Sequence, residues 1–197
     1  MQPVVMMSER DYLKPPEEVN LDDEERAIQR AGTIAFVANV VAFVGAYYGL
    51  NYVVDFPTGL SERLAFAAIA SVFVLVWVLI GVMMVSTGRR QSAEDIGGSA
   101  AGPPSDQLAI KAAFLQNTLE QAVLSVGFFA GLAALAGGPW LALICVAVVF
   151  FAVGRILFYR GYPEGAKGRA LGMTLTMLPT ILGYLVVLGL LVAHLLG

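Results

Sequence analysis

The sequence predicts an all-α integral membrane protein of five helices. Of its 197 residues, 58% are hydrophobic and only 14% are charged, with mean hydropathy +0.75. A soluble domain carries roughly 45–50% apolar and about 25% charged residues. Five apolar segments are each long enough, at 1.5 Å per residue, to cross a hydrocarbon core of roughly 30 Å. The basic residues gather on one side of those segments, as the topology of a membrane protein requires.

Residues 1–31 are polar, with eight acidic and four basic side chains and a Pro15-Pro16 pair. No basic stretch precedes a short apolar core, so a cleaved signal peptide is not expected. A partly disordered segment is expected instead, with DDEERAIQRA from Asp22 forming a short helix along the membrane surface. The first apolar segment spans 32–54. The second, 64–87, follows a turn containing Pro57, Gly59 and Ser61, and precedes a polar loop over 88–107. The third, 108–136, corresponds to about 43 Å of helix, so its polar N-terminal half is expected to project from the hydrocarbon. Gly137-Gly138-Pro139 turns the chain into the fourth segment, 140–159. The loop RGYPEGAKG leads to the fifth, 169–196. Pro179 is expected to kink that last helix, with Thr174 or Thr176 covering freed carbonyls. Gly45/Gly49 and Gly127/Gly131 have the small-xxx-small spacing that permits close helix approach.

With the N-terminus inside, one side holds Arg10, Lys14, Arg26, Arg30, Arg89, Arg90, Lys111, Arg155, Arg160, Lys167 and Arg169, and the other only Arg63. The positive-inside rule then sets N-in, C-out, with Tyr47, Tyr48, Tyr52 and Trp140 near the outer interface. An Ala/Gly/Val-rich chain of this kind suggests a bacterial inner membrane. Cys145 and His194 are the only cysteine and histidine, which removes a disulfide framework, a Cys/His metal site and a Ser–His–Asp triad within one chain. The expected partner is the lipid bilayer, with no nucleic acid and no metal.

The stretch KAAFLQNTLEQ, residues 111–121, opens the third segment and places Asn117 and Glu120 on one helix face, about a turn apart. A carboxylate inside an apolar helix is costly unless paired or facing a polar cavity, which makes it a pointer to function. Arg155, Phe158 and Tyr162 line one stripe of the fourth helix, and Arg169 opens the fifth. Antiparallel packing brings these groups to one level. Two readings of the residues stay open: Glu120 and Arg155 neutralise each other as a structural pin completed by Asn117, or the cluster faces a ligand. A binder of another anionic amphiphile, using Arg155 and Arg169, is a third.

The Asn-x-x-Glu spacing, GRILFYRGY ending the next helix and Arg169 opening the last together resemble the MAPEG family, the membrane-associated proteins in eicosanoid and glutathione metabolism. The resemblance covers 62–197 and implies a MAPEG-like four-helix bundle, with 32–54 as an extra N-terminal transmembrane helix. It implies a homotrimer that binds glutathione between subunits, near the cytoplasmic face. It also implies that Asn117 and Glu120 contact glutathione, Glu120 receiving its amino group, with Tyr162 on its backbone and Arg155 bracing the site. Arg169 matches the arginine held to stabilise the thiolate. The expected activity is a glutathione- or thiol-dependent transferase or peroxidase on a lipophilic substrate; the alternative is a non-catalytic membrane protein with a structural Glu/Arg/Asn cluster. The chain departs from the family at Ala113, where an arginine for a glutathione carboxylate is usual, and at Gln121 and Phe158. Arg89, Arg90 and Lys167 are candidate substitutes for that arginine.

Overall fold

The computed structural model describes residues 20–197. The expected disorder at the start of the chain falls largely on residues 1–19, outside the described residues. The rest is helical: α1 Leu21–Gly49, α2 Leu60–Gln91, α3 Asp106–Leu135, α4 Ala142–Gly161 and α5 Gly165–Leu196. Short 3-10 turns follow α1 at Leu50–Tyr52 and bracket α4 at Gly138–Leu141 and Tyr162–Glu164. There is no strand among the described residues. By length and apolarity, four helical stretches can cross a membrane: Leu21–Tyr52, Leu60–Gln91, Asp106–Leu135 and Gly138–Leu196. The last contains α4 and α5, which fold back on each other.

The surface helix expected from Asp22 is not separate. Asn20 caps α1, accepting from the N–H groups of Asp22 and Asp23, and the helix runs unbroken into the apolar segment. Helix-favouring residues from Asp22 to Arg30 offer no breaker, so the polar turns continue the transmembrane helix. α2 likewise continues to Gln91, shortening the polar loop to 92–105. Ser105 caps α3 through Leu108 N–H.

Arg63 at the start of α2 reaches the carbonyl of Ala136 at the end of α3. Glu24 at the start of α1 meets Lys167 at the start of α5. Asn51, beyond α1, meets Pro139 just before α4. Thus α1, α3 and α5 run one way and α2 and α4 the other, and the basic connections share one end. The core between them is Val74, Ala122, Phe128, Phe129, Leu132, Leu141, Ile144 and Phe151.

Lipid tails give helices no hydrophobic reason to associate, so close packing of small residues has to do it. Gly127 and Gly131 serve this way: a side chain added there would meet Tyr184 and Val187 of α5. Gly45 and Gly49 do not, since nothing lies within 4 Å of either. The tightest seam joins α4 to α5. Gly154 lies against Thr176 and the Gly172 carbonyl, Gly172 against the backbone of Phe158, and Gly161 against Gly168. Pro179 lies inside α5 without ending it, but neither threonine takes the Leu175 carbonyl it frees. Thr174 bonds Ala170 O at 2.7 Å and Thr176 bonds Gly172 O at 2.9 Å, because each hydroxyl reaches the carbonyl four residues back.

The 92–105 loop is pinned by Asp95, which is buried and accepts from Ser105 N–H at 2.8 Å and Ser105 Oγ at 2.6 Å. These donors hold its carboxyl below the ordinary range, the backbone N–H foremost.

Two predictions follow from this packing. Gly172→Ala should lower thermal stability in detergent by about 1–3 kcal/mol, because the atoms it meets are backbone and cannot swing aside. Gly45→Ala, into open space, should leave stability unchanged or slightly raised. For the loop, a depressed carboxyl contributes stability above its unfolded value of about 3.9, lost as pH falls through the lower folded value. Limited proteolysis should therefore find 92–105 protected from neutral pH down to about pH 4 and cleaved only below it, whereas Asp95→Ala is cleaved at neutral pH.

Candidate functional site

Arg155 sits in the last third of α4 with 0% exposure. Its Nη1 donates to Asn117 Oδ1 of α3 at 2.7 Å, and its Nε to Thr176 Oγ1 of α5 at 3.2 Å. The Thr176 hydroxyl gives its own proton to Gly172 O, leaving its lone pairs for the guanidinium. One helical turn on either side, Phe158 and Phe151 cover the cation at 4.8 Å and 5.6 Å. Such contacts favour a desolvated guanidinium by up to about 2 kcal/mol each. No carboxylate balances it: the ion pairs among the described residues are Arg26–Asp23 and Lys167–Glu24. The remaining nitrogen, Nη2, is buried with no partner among the described residues.

From Arg155 an aromatic ladder runs to the end of the bundle. Phe158 packs edge-on against Tyr162 at 5.6 Å, and Phe114 of α3 packs against Tyr159 at 5.3 Å. Tyr162 stands in the 3-10 turn between α4 and α5. The Arg169 guanidinium lies over its ring at 4.7 Å. Asn117, Arg155, Tyr162 and Arg169 therefore form one connected series: amide, guanidinium, two rings, guanidinium.

Glu120 is the exception. It does not pair with Arg155. Its carboxylate is exposed on α3 and accepts from Gln116 Nε2 at 2.8 Å, a turn earlier on the same helix. Three steps of about 100° leave Glu120 roughly 60° around the helix from half-buried Asn117, and because Asn117 already stands at the edge of the buried face, that offset puts Glu120 on the exposed side. Around it Leu119, Val123 and Leu124 are exposed. A carboxylate and an amide thus stand in an apolar surface of a membrane helix, where lipid would be a poor neighbour.

Sequence reasoning missed Thr176 as a partner of Arg155 and Gln116 as the partner of Glu120. The signal for the aromatic sandwich was available: Phe151 and Phe158 lie four residues before and three after Arg155, hence on its face. Gln121 is buried with Oε1 unpartnered, and Ser125 meets Thr180 at 3.1 Å. Of the basic residues that could stand in for Ala113, Arg89 is held by Ser99 at 3.2 Å, Lys167 lies against Glu24, and Arg90 is exposed.

Residues 64–190, well over half of the chain, match the MAPEG family. The chain belongs to the MAPEG family. No curated protein and no solved structure matches it. The match spans α3, α4 and most of α2 and α5, and so contains all five residues above, while α1 lies wholly outside it. The chain is a membrane protein of a family generally linked to glutathione.

Asn117→Ala should leave a second buried guanidinium nitrogen unpaired and destabilise the bundle by about 1.5–3 kcal/mol, read as thermal unfolding in detergent. Arg155→Lys should be no milder, since an ammonium can neither stack between two rings nor reach amide and hydroxyl in one plane.

Proposed function

We propose that the chain is a glutathione- or thiol-dependent transferase or peroxidase acting on a lipophilic electrophile or hydroperoxide within the membrane. The observation that carries this reading is the placement of Arg169, a guanidinium held over Tyr162 at 4.7 Å at the bundle's basic end. A fixed cation stabilises a thiolate over a thiol, and the thiolate is the nucleophile. Glutathione supplies that thiol when bound. Glu120 would accept its amino group, Asn117 and Tyr162 would contact its backbone, and Arg155 would brace both helices beneath it.

The residues fit such a ligand in two respects. Arg155 Nη2 is a buried donor still lacking an acceptor, and Glu120 is a carboxylate on an outer face with only a neutral amide beside it. A carboxylate on that face, which lipid would solvate poorly, favours a second subunit over it, so the site lies between protomers of a homotrimer. The lipophilic substrate then enters sideways from the bilayer. The segregation of basic residues supports N-in, C-out, with the site on the cytoplasmic side of a bacterial inner membrane.

A second reading is a non-catalytic membrane protein whose Arg155 cluster is a structural pin. The complete burial of Arg155 between Asn117, Thr176, Phe151 and Phe158 favours it.

Titrating the purified trimer with glutathione separates the two. At a hundred times the dissociation constant, binding should raise unfolding free energy by about 2.7 kcal/mol. A thiolate absorbance should accompany it near neutral pH and vanish in Arg169→Ala. Glu120→Gln should keep the trimer and lose affinity for glutathione. Absence of both stabilisation and thiolate signal in the wild type would rule the enzyme out.

A further inference from the structure

α1 lies outside the residues that match the family, yet it touches the site's most sensitive joint. α5 begins at Gly165 after a turn, and its first N–H groups have no partner within the helix. Glu164, at the capping position, makes no side-chain hydrogen bond to them. The missing acceptor comes from another helix: Glu24 Oε2 of α1 accepts from Lys167 N–H at 2.8 Å. Its second oxygen lies 3.7 Å from Lys167 Nζ. A carboxylate at a helix start is favoured both by the bare N–H groups and by the helix dipole.

The geometry of α1 makes this contact selective. Three acidic residues occupy its first turn. Asp23 pairs with exposed Arg26, and Asp22 is exposed, so only Glu24 turns inward, its side chain 20% exposed. Lys167 itself is mostly exposed at 56%, so its ammonium is the weaker half of the contact and its N–H the stronger. Two residues later on the same turn of α5 comes Arg169, stacked on Tyr162.

We propose that Glu24 is a positioning residue: it caps α5 from α1 and so sets where Arg169 stands over Tyr162. This role rests on the reading of Arg169 as the cation that faces glutathione's thiol. It gives the additional helix a task in the site, namely to hold rigid the helix start that carries that cation.

Full-length protein in detergent, with Glu24→Ala, Glu24→Gln and Lys167→Ala, tests it by two readouts. Amide hydrogen exchange over 165–169 should accelerate about tenfold in Glu24→Ala, the share of one charge-assisted hydrogen bond. In Glu24→Gln, which keeps an acceptor, and in Lys167→Ala, which keeps the N–H, it should change far less. The thiol of bound glutathione should titrate about one pH unit higher in Glu24→Ala, a tenfold loss of thiolate at a given pH. Unchanged exchange in Glu24→Ala overturns the cap. Faster exchange with an unchanged thiol titration overturns the positioning role. If the wild type shows no bound thiolate at all, the glutathione reading fails and the positioning role falls with it, while the exchange result still decides whether Glu24 caps α5.

Discussion

A guanidinium buried at the meeting of three helices, with no carboxylate among the described residues to neutralise it, is the constraint around which the rest of this bundle is arranged. Arg155 cannot lose its charge, so the protein must solvate it. It does so with an amide from α3, a hydroxyl from α5 and two rings from its own helix. Each of those contacts demands a particular approach of helices. Thr176 can reach Arg155 only because Gly154 and Gly172 let the α4 and α5 backbones touch. Asn117 faces it only because α3 packs with Thr118, Ala122 and Ser125 inward. Glycine seam and buried cation are thus one design, in which small residues bring the polar partners within range.

The same rotation of α3 that turns Asn117 inward turns Glu120 outward. A salt bridge between Glu120 and Arg155 would have paired the two charges inside the bundle. Instead the positive charge is settled inside by neutral groups, and the negative charge is left on the lateral face with Gln116. Among the exposed apolar side chains of Leu119, Val123 and Leu124, that carboxylate and its amide are the polar exception on the face.

Helix number, the turns at Gly59 and Gly137–Pro139 and the level at which the polar groups meet were legible in the sequence, because apolar run length and helical spacing determine them. The fourth-to-fifth helix stripe was legible for the same reason: Arg155, Phe158 and Tyr162 follow a helical period, and the rings do stack. What stayed hidden depends on rotation and close approach between helices. The face Glu120 presents, the choice of Thr176 over a carboxylate as partner, and the working seam at Gly154/Gly172 rather than at Gly45/Gly49 are all relations between elements, which periodicity within one element does not encode. The continuity of α1 through Asp22–Arg30 was missed for another reason. Polarity alone points to a membrane surface, whereas a capped stretch of good helix formers simply extends the same helix by its polar turns.

Three charges at this end of the molecule are handled in three ways, and the differences order their roles. Arg155 is enclosed and satisfied by neutral groups, so its first contribution is to hold α3, α4 and α5 together. Glu120 is exposed to the side, with the neutral Gln116 amide as its hydrogen-bond partner among the described residues. Arg169 is half-buried over Tyr162, and its helix start accepts a carboxylate from α1. Only the last combines a defined position with a charge that no carboxylate pairs among the described residues, which suits the role proposed for it: a cation that neither moves to meet an anion nor is neutralised before one forms. The aromatic ladder between Arg155 and Arg169 then has a mechanical sense, since it ties the half-buried cation at the rim to the fully buried one at the centre.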